Sequence, residues 1–276
     1  MEKPGKNLNN EIFTFKYPGR EPKLLNNFLL KRPDILDYYI YDIGLTTGGL
    51  LYSSRGGIGV TKERYIVDMH LAIKNPSFSL QVRDAYHKYF GERPTQRKYL
   101  ALREKFNKET RGFLSGPKTA DLYLLWITSN YLYKYRRHGY DGIYLPSIPP
   151  YGRLESASLV SRGKKLLFRK EDVFTLSESL ISDNVIVYMH IPDSYGTYGC
   201  NFLWNEKKFQ SVIRILKEFH QLGYKVCISA TERQYGREFR DYNKLLPDFT
   251  RISVSEFKGS KLTVESSFSE VYFLNF

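Results

Sequence analysis

Apolar positions along the chain fall into short runs separated by clusters of Gly, Thr, Pro and Ser. The segment DYYIYDIGLTTGGLLY (37–52) opens with a strand-like run from Tyr38 to Tyr41, breaks at a Gly/Thr turn and resumes as an apolar stretch. ERYIVDMHLAIKN (63–75) has the same form, with Tyr65 to Val67 read as a strand ending in Asp68 and a helix after it. Two such strands with helical connections predict a parallel sheet. The character changes between residues 80 and 155. QVRDAYHKYFGERPTQRKYLALREKFNKETRGF is charged and helical in pattern, and TADLYLLWITSNYLYKYRRHGYDG is apolar, then tyrosine-rich and basic. IYLPSIPPYGRLES is punctuated by Pro and Gly as a loop or hairpin. The sheet pattern then resumes with Val185 to Met189. NEKKFQSVIRILKEFHQLGY is the clearest helix: Asn205 can cap it, Phe209, Val212, Ile213, Leu216 and Phe219 form one stripe, and Gly223 follows its end. KVCIS (225–229) reads as the next buried strand, and RISVSEFKGSKLTVESSFSEVYFLNF as two antiparallel strands.

Composition adds a partner class to this α/β outline. The 276 residues suit one large domain or a core with an inserted subdomain. Lys and Arg number 42 against 29 Asp and Glu, giving a net charge of +13. That excess points to a polyanion, nucleic acid ahead of an anionic membrane surface. Aromatic residues among the basic ones can stack on unpaired bases, although most are expected in the core. The two cysteines, Cys200 and Cys227, have no metal-type spacing and exclude a disulfide scaffold. The amino-terminal stretch has no signal-type apolar core and no membrane-length apolar run occurs, so a soluble, cytoplasmic protein is expected.

The first strand end carries the candidate cofactor chemistry. Asp42 is followed by Gly44, Thr46, Thr47, Gly48 and Gly49, and glycines let a turn adopt positive φ and admit a ligand against the backbone. Asp68, at the end of the expected second strand, can accept from both ribose hydroxyls of a nucleoside cofactor. The spacing is not the full GxGxxG of dinucleotide binders, so S-adenosylmethionine is favoured over NAD.

Several segments, in order, resemble the DNA adenine methylase (Dam-like) family of N6-adenine methyltransferases. FKYPGREPKLL (15–25) resembles the family's opening element, YDIGLTTGGLLY its cofactor loop and RYIVDMHLAIKN the following strand with its acid. KYLALREKFN (98–107) and LYLLWITSNYLYKYRRHGYDGIYLPSIPPYGR (122–153) resemble the insert, and GYKVCIS and SSFSEVYFLNF the late strands. The resemblance implies a class I S-adenosylmethionine-dependent methyltransferase (Rossmann-like) sheet, formed by 1–80 and 156–276, with a mainly helical DNA-recognition subdomain at 81–155. It implies S-adenosylmethionine as methyl donor and N6 of an adenine flipped from double-stranded DNA as acceptor. Tyr17, Pro18, Gly19, Asp42, Gly44, Gly48 and Asp68 would then bind the cofactor, and Lys134, Arg136, Arg137 and Arg153 the DNA.

The acceptor loop departs from the family's Asp-Pro-Pro-Tyr. There, the acid and a proline carbonyl accept the N6 protons and the ring stacks on the flipped base. Here Val187-Tyr188-Met189 leads into His190-Ile191-Pro192-Asp193-Ser194-Tyr195. Ungapped, His190 replaces the acid and Asp193 the ring. Shifted by two residues, Tyr195 restores the ring and Pro192 stands where the acid belongs. Three readings follow. In an active variant, His190 or Asp193 accepts, the backbone at Pro192 completes the contact and Tyr195 stacks. In an inactive methyltransferase fold, the chain binds DNA or a protein partner. In the third, methyl transfer goes to a different acceptor.

Overall fold

The computed structural model describes residues 22–45, 48–109, 117–129, 135–136, 139–140, 143–172, 184–191, 206–234, 237–238, 242–256 and 268–276. In chain order the elements are α1 (Pro22–Lys31), a 3-10 turn (Pro33–Asp37), β1 (Tyr39–Ile43), α2 (Gly49–Ser53), β2 (Gly56–Thr61) and α3 (Arg64–Lys74). Then come α4 (Phe78–Phe90), α5 (Gln96–Glu109), α6 (Pro117–Ile127), the ribbon strands β3 (Tyr135–Arg136) and β4 (Gly139–Tyr140), and α7 (Tyr151–Gly163). The chain continues through β5 (Lys165–Lys170), β6 (Val185–Ile191), α8 (Glu206–Gln221), β7 (Lys225–Gln234), β8 (Arg237–Glu238), α9 (Tyr242–Leu245), β9 (Thr250–Glu256) and β10 (Phe268–Leu274). Contacts divide it into two units. Among the described residues, 63–164 form a helical unit, and 22–62, 165–191 and 206–276 form a sheet unit. The division falls at 62/63 and 164/165, against the 80/81 and 155/156 expected from composition.

The sheet unit has strand order β5-β2-β1-β6-β7-β10-β9. The first five are mutually parallel, and β10 runs antiparallel to both β7 and β9. The central strands β1 and β6 are buried along almost their whole length, as their apolar sequences require. One face packs Tyr41, Ile43, Val187, Met189, Ile191, Val226 and Ile228 against the α8 stripe of Phe209, Val212, Ile213, Leu216 and Phe219. The stripe expected from sequence is therefore the buried face of α8. On the opposite face Phe28 of α1 stacks on Tyr272 of β10 at 3.8 Å, and the Lys31 ammonium donates to the Ser253 carbonyl at 2.8 Å. Asn275 lengthens the β7–β10 pairing: its Oδ1 accepts from the Val226 N–H, and its Nδ2 donates to the Tyr224 carbonyl.

Two elements differ from the sequence reading. The strand expected at Tyr65–Val67 is the start of α3, and Asp68 lies on that helix, not at a strand end. The true second strand is β2, whose sequence is GGIGVT. The sheet needs its glycines. A Cβ on Gly57 would stand 1.9 Å from the Ile40 carbonyl oxygen, and Gly57 has φ +144°. A Cβ on Gly59 would stand 2.8 Å from the Leu45 side chain, which fills that slot. The second difference is YGRLES, expected as loop, which opens α7.

The helical unit is built on aromatics. Trp126, Tyr123, Tyr99, Phe78, Phe90 and Phe106 are fully buried. A polar chain crosses α4, α5 and α6: Lys105 Nζ donates to the Tyr89 hydroxyl at 2.8 Å, and that hydroxyl donates to Asp121 Oδ2 at 3.2 Å. Burial pushes the Asp121 carboxyl above its ordinary range. Among the described residues no helix is long and apolar enough to cross a membrane.

Gly57→Ala combines a positive-φ position with a backbone clash. It is expected to lower the unfolding free energy by about 2–4 kcal/mol in urea titrations, whereas Gly163→Ala, where a Cβ meets nothing within 4 Å, leaves it nearly unchanged.

Candidate functional site

In open α/β sheets, ligands bind beyond the carboxyl ends of the strands, where the strand order reverses. Here the chain runs outward from β1 to β2 and β5, then returns to the other side of β1 with β6 and β7. The reversal therefore lies between β1 and β6. Asp42 lies near the carboxyl end of β1 with Gly44 and Gly48 after it, and His190 and Ile191 close β6. Both stretches singled out in the sequence thus meet at one place in the sheet unit.

Asp42 is 3% exposed and lies in register with Gly59 on one side and Tyr188 on the other. The turn after β1 is set by the backbone: the N–H groups of Gly44 and Leu45 both donate to the Val60 carbonyl, at 3.0 and 2.8 Å. Those two donors belong to the fold and not to a ligand. Gly44 has φ +93° and Gly48 φ +66°, so both use the left-handed freedom that glycine provides. Around a Cβ on Gly44, the nearest atom is Met189 Cε of β6, at an ordinary 3.7 Å. Gly44 is half-buried and Gly48 buried. Asp42, with its carboxylate, and the positive-φ glycines Gly44 and Gly48 are the residues here that could hold a nucleoside cofactor.

His190 does not present as the family's acid would. It is buried, and its Nδ1 lies 2.9 Å from the Ser229 hydroxyl of β7. The Tyr188 hydroxyl lies 2.8 Å from the same oxygen. Ser229 has one proton and two lone pairs, so it donates to at most one of these partners. The register His190↔Ser229 between β6 and β7 brings the three together on the face opposite α8. Sequence reasoning missed Ser229 and Tyr188, because this pairing joins positions 39 and 41 residues apart. The only signal was a hydroxyl in the otherwise apolar KVCIS.

Asp68 is nearly buried on α3, where its Oδ1 accepts from Arg64 Nε at 2.8 Å, an i,i+4 ion pair on one helix. The chain leaves the true second strand through Thr61, Lys62 and Glu63 instead. Arg153 is exposed in the first turn of α7, and Arg136 lies on the β3 strand of the ribbon. Tyr17, Pro18, Gly19, Lys134, Arg137, Pro192, Asp193 and Tyr195 lie outside the described residues.

No protein-family model matches the chain, and no curated protein matches it.

The Tyr188–Ser229–His190 chain predicts coupled stability. Ser229→Ala leaves two buried polar groups without this partner and is expected to cost about 1–3 kcal/mol. Combined with Tyr188→Phe, the losses should be non-additive by at least about 0.5 kcal/mol in a double-mutant cycle read by urea unfolding. Strict additivity would mean that the contact contributes nothing.

Proposed function

We propose that the chain is a DNA adenine methyltransferase-like protein. In this reading it binds S-adenosylmethionine where the strand order reverses and acts on N6 of an adenine flipped from duplex DNA, through a variant loop at 192–195. The observation that carries it is the sheet. A parallel β5-β2-β1-β6-β7 order, with antiparallel β10 between β7 and β9, is the arrangement that a class I methyltransferase sheet calls for. Asp42 and the glycines at β1, and the altered loop after β6, then fall on the two sides of the reversal point. Asp42 would accept hydrogen bonds from the cofactor, and Gly44 and Gly48 would leave its backbone approach open. The cofactor supplies an electrophilic methyl group when bound. With His190 buried and its Nδ1 engaged at Ser229, acceptance from N6 would pass to Asp193 and neighbouring backbone carbonyls, and base stacking to Tyr195. Arg136 and Arg153 stand on a helical unit whose 63–164 segment carries 18 Lys and Arg against 9 Asp and Glu, a surplus of nine. That unit would contact phosphates.

A second reading, a methyltransferase-like fold that binds DNA or a protein partner without methyl transfer, has its own observation. His190 and Asp68, two positions where the family places function, are here engaged in contacts within the fold, with Ser229 and with Arg64.

Calorimetry with S-adenosylmethionine, and nucleoside mass spectrometry after incubation with mixed-sequence duplex DNA, separate these readings. The first expects cofactor binding that weakens at least about tenfold in Asp42→Asn, and N6-methyladenine that disappears in Asp193→Ala. Salt-dependent DNA binding with no cofactor heat and no methylated nucleoside overturns it in favour of the second. A different methylated base would assign the loop to another acceptor.

A further inference from the structure

The helical unit contains a groove of about 490 Å³, within the usual range for small-ligand sites. It lies where the α4–α5 corner meets the extended segment 143–148. Its walls include Tyr86, Tyr144, Pro146 and Ile148, and Arg93 and Gln96 give it a polar edge. We propose that this groove takes an unpaired nucleobase carried on a phosphate, a site separate from that of any base undergoing chemistry.

Four observations carry the proposal. The wall is pre-built: the Tyr144 hydroxyl donates to the Pro94 carbonyl at 2.9 Å, its ring packs on Tyr99 at 5.5 Å, and the Leu145 N–H donates to the Thr128 carbonyl at 2.9 Å. Tyr86 is 4% exposed, and its hydroxyl has no hydrogen-bond partner among the described residues. A buried hydroxyl in that condition is costly, and a shift of the ring toward the groove it lines would bring it to the edge of a bound heterocycle. The groove's own wall exposes apolar surface to water, with Ile148 68% exposed. A base has two apolar faces to cover such surface and a polar edge for Gln96 and the Glu92 carboxylate, which also lines the groove. Finally, the unit's positive surplus, with Arg93 at the groove itself, favours a ligand that brings a phosphate. The groove lies wholly within the helical unit, so its role does not depend on methyl transfer.

The probe is 2-aminopurine, whose fluorescence falls when it stacks. It is offered both as the free nucleoside monophosphate and as an internal residue of a single-stranded oligonucleotide. Quenching by the protein is expected in at least one form, and which form quenches tells a free nucleotide from a base presented by a strand. An unlabelled adenine-bearing strand should compete at least tenfold better than the same strand made abasic at that position. Gln96→Ala, Tyr86→Phe and the exposed-site change Ile148→Glu should each weaken binding about fivefold or more, with melting temperatures confirming that each variant is folded. The proposal is overturned if neither form is quenched. Equal competition by the abasic strand, or affinity unchanged in folded Gln96→Ala and Ile148→Glu proteins, overturns it as well.

Discussion

The sheet depends on how closely β2 lies against β1. With the Ile40 carbonyl oxygen 1.9 Å from where a Cβ on Gly57 would be, no other residue can stand there without moving the first strand. The same economy of side chains at Gly59 leaves the slot that Leu45 occupies. Leu45 is the residue through which the chain turns away from β1, and its N–H, with that of Gly44, is tied to Val60. The path of the turn that follows Asp42 is therefore written into the glycines of the neighbouring strand. A glycine strand is intrinsically weak. Here it is held from both sides, by β1 and by β5.

That constraint also explains what was legible in the sequence and what was not. Strands β1, β6, β7 and β10 and helix α8 could be read because apolar side chains announce them. Tyr39–Ile43 and Val185–Ile191 are runs of branched and aromatic residues, and the α8 stripe repeats with helical period. Strand β2 could not be read, because its defining feature is the absence of side chains. GGIGVT carries no apolar run to mark it, so the next apolar run, Tyr65–Val67, reads as the second strand and gives Asp68 a strand-end role. In the fold Asp68 faces Arg64 one helical turn away. The start of α7 was hidden differently: Pro149, Pro150 and Gly152 signal a break, yet a proline preceding the first helical turn is compatible with a helix.

The candidate site was half legible. Asp42, Gly44 and Gly48 could be found because acid and glycine spacing is local, and they stand together at one strand end. The Tyr188–Ser229–His190 chain could not, because it is created by the β6–β7 register, which no local pattern encodes. The Tyr188 and Ser229 hydroxyls and His190 Nδ1 partner one another inside the sheet unit, as buried polar groups require.

Position 190 then bears on how the loop after β6 can work. An acceptor for an exocyclic amine needs lone pairs directed at the ligand. A carboxylate can spend one lone pair on a supporting contact and keep others, since it offers about four acceptor sites. An imidazole has two nitrogens, and here one of them is spent on Ser229. Replacing acid by histidine at the end of β6 therefore does more than exchange one acceptor for another: it converts the position into a link between β6 and β7. In the proposed reading, with Nδ1 engaged at Ser229 and Nε2 enclosed within the fold, acceptor chemistry would fall to residues further along the chain, where Asp193 is the first carboxylate after the strand. The loop HIPDSY is in that sense a division of labour, with its first residue held in the sheet and its acid three residues beyond.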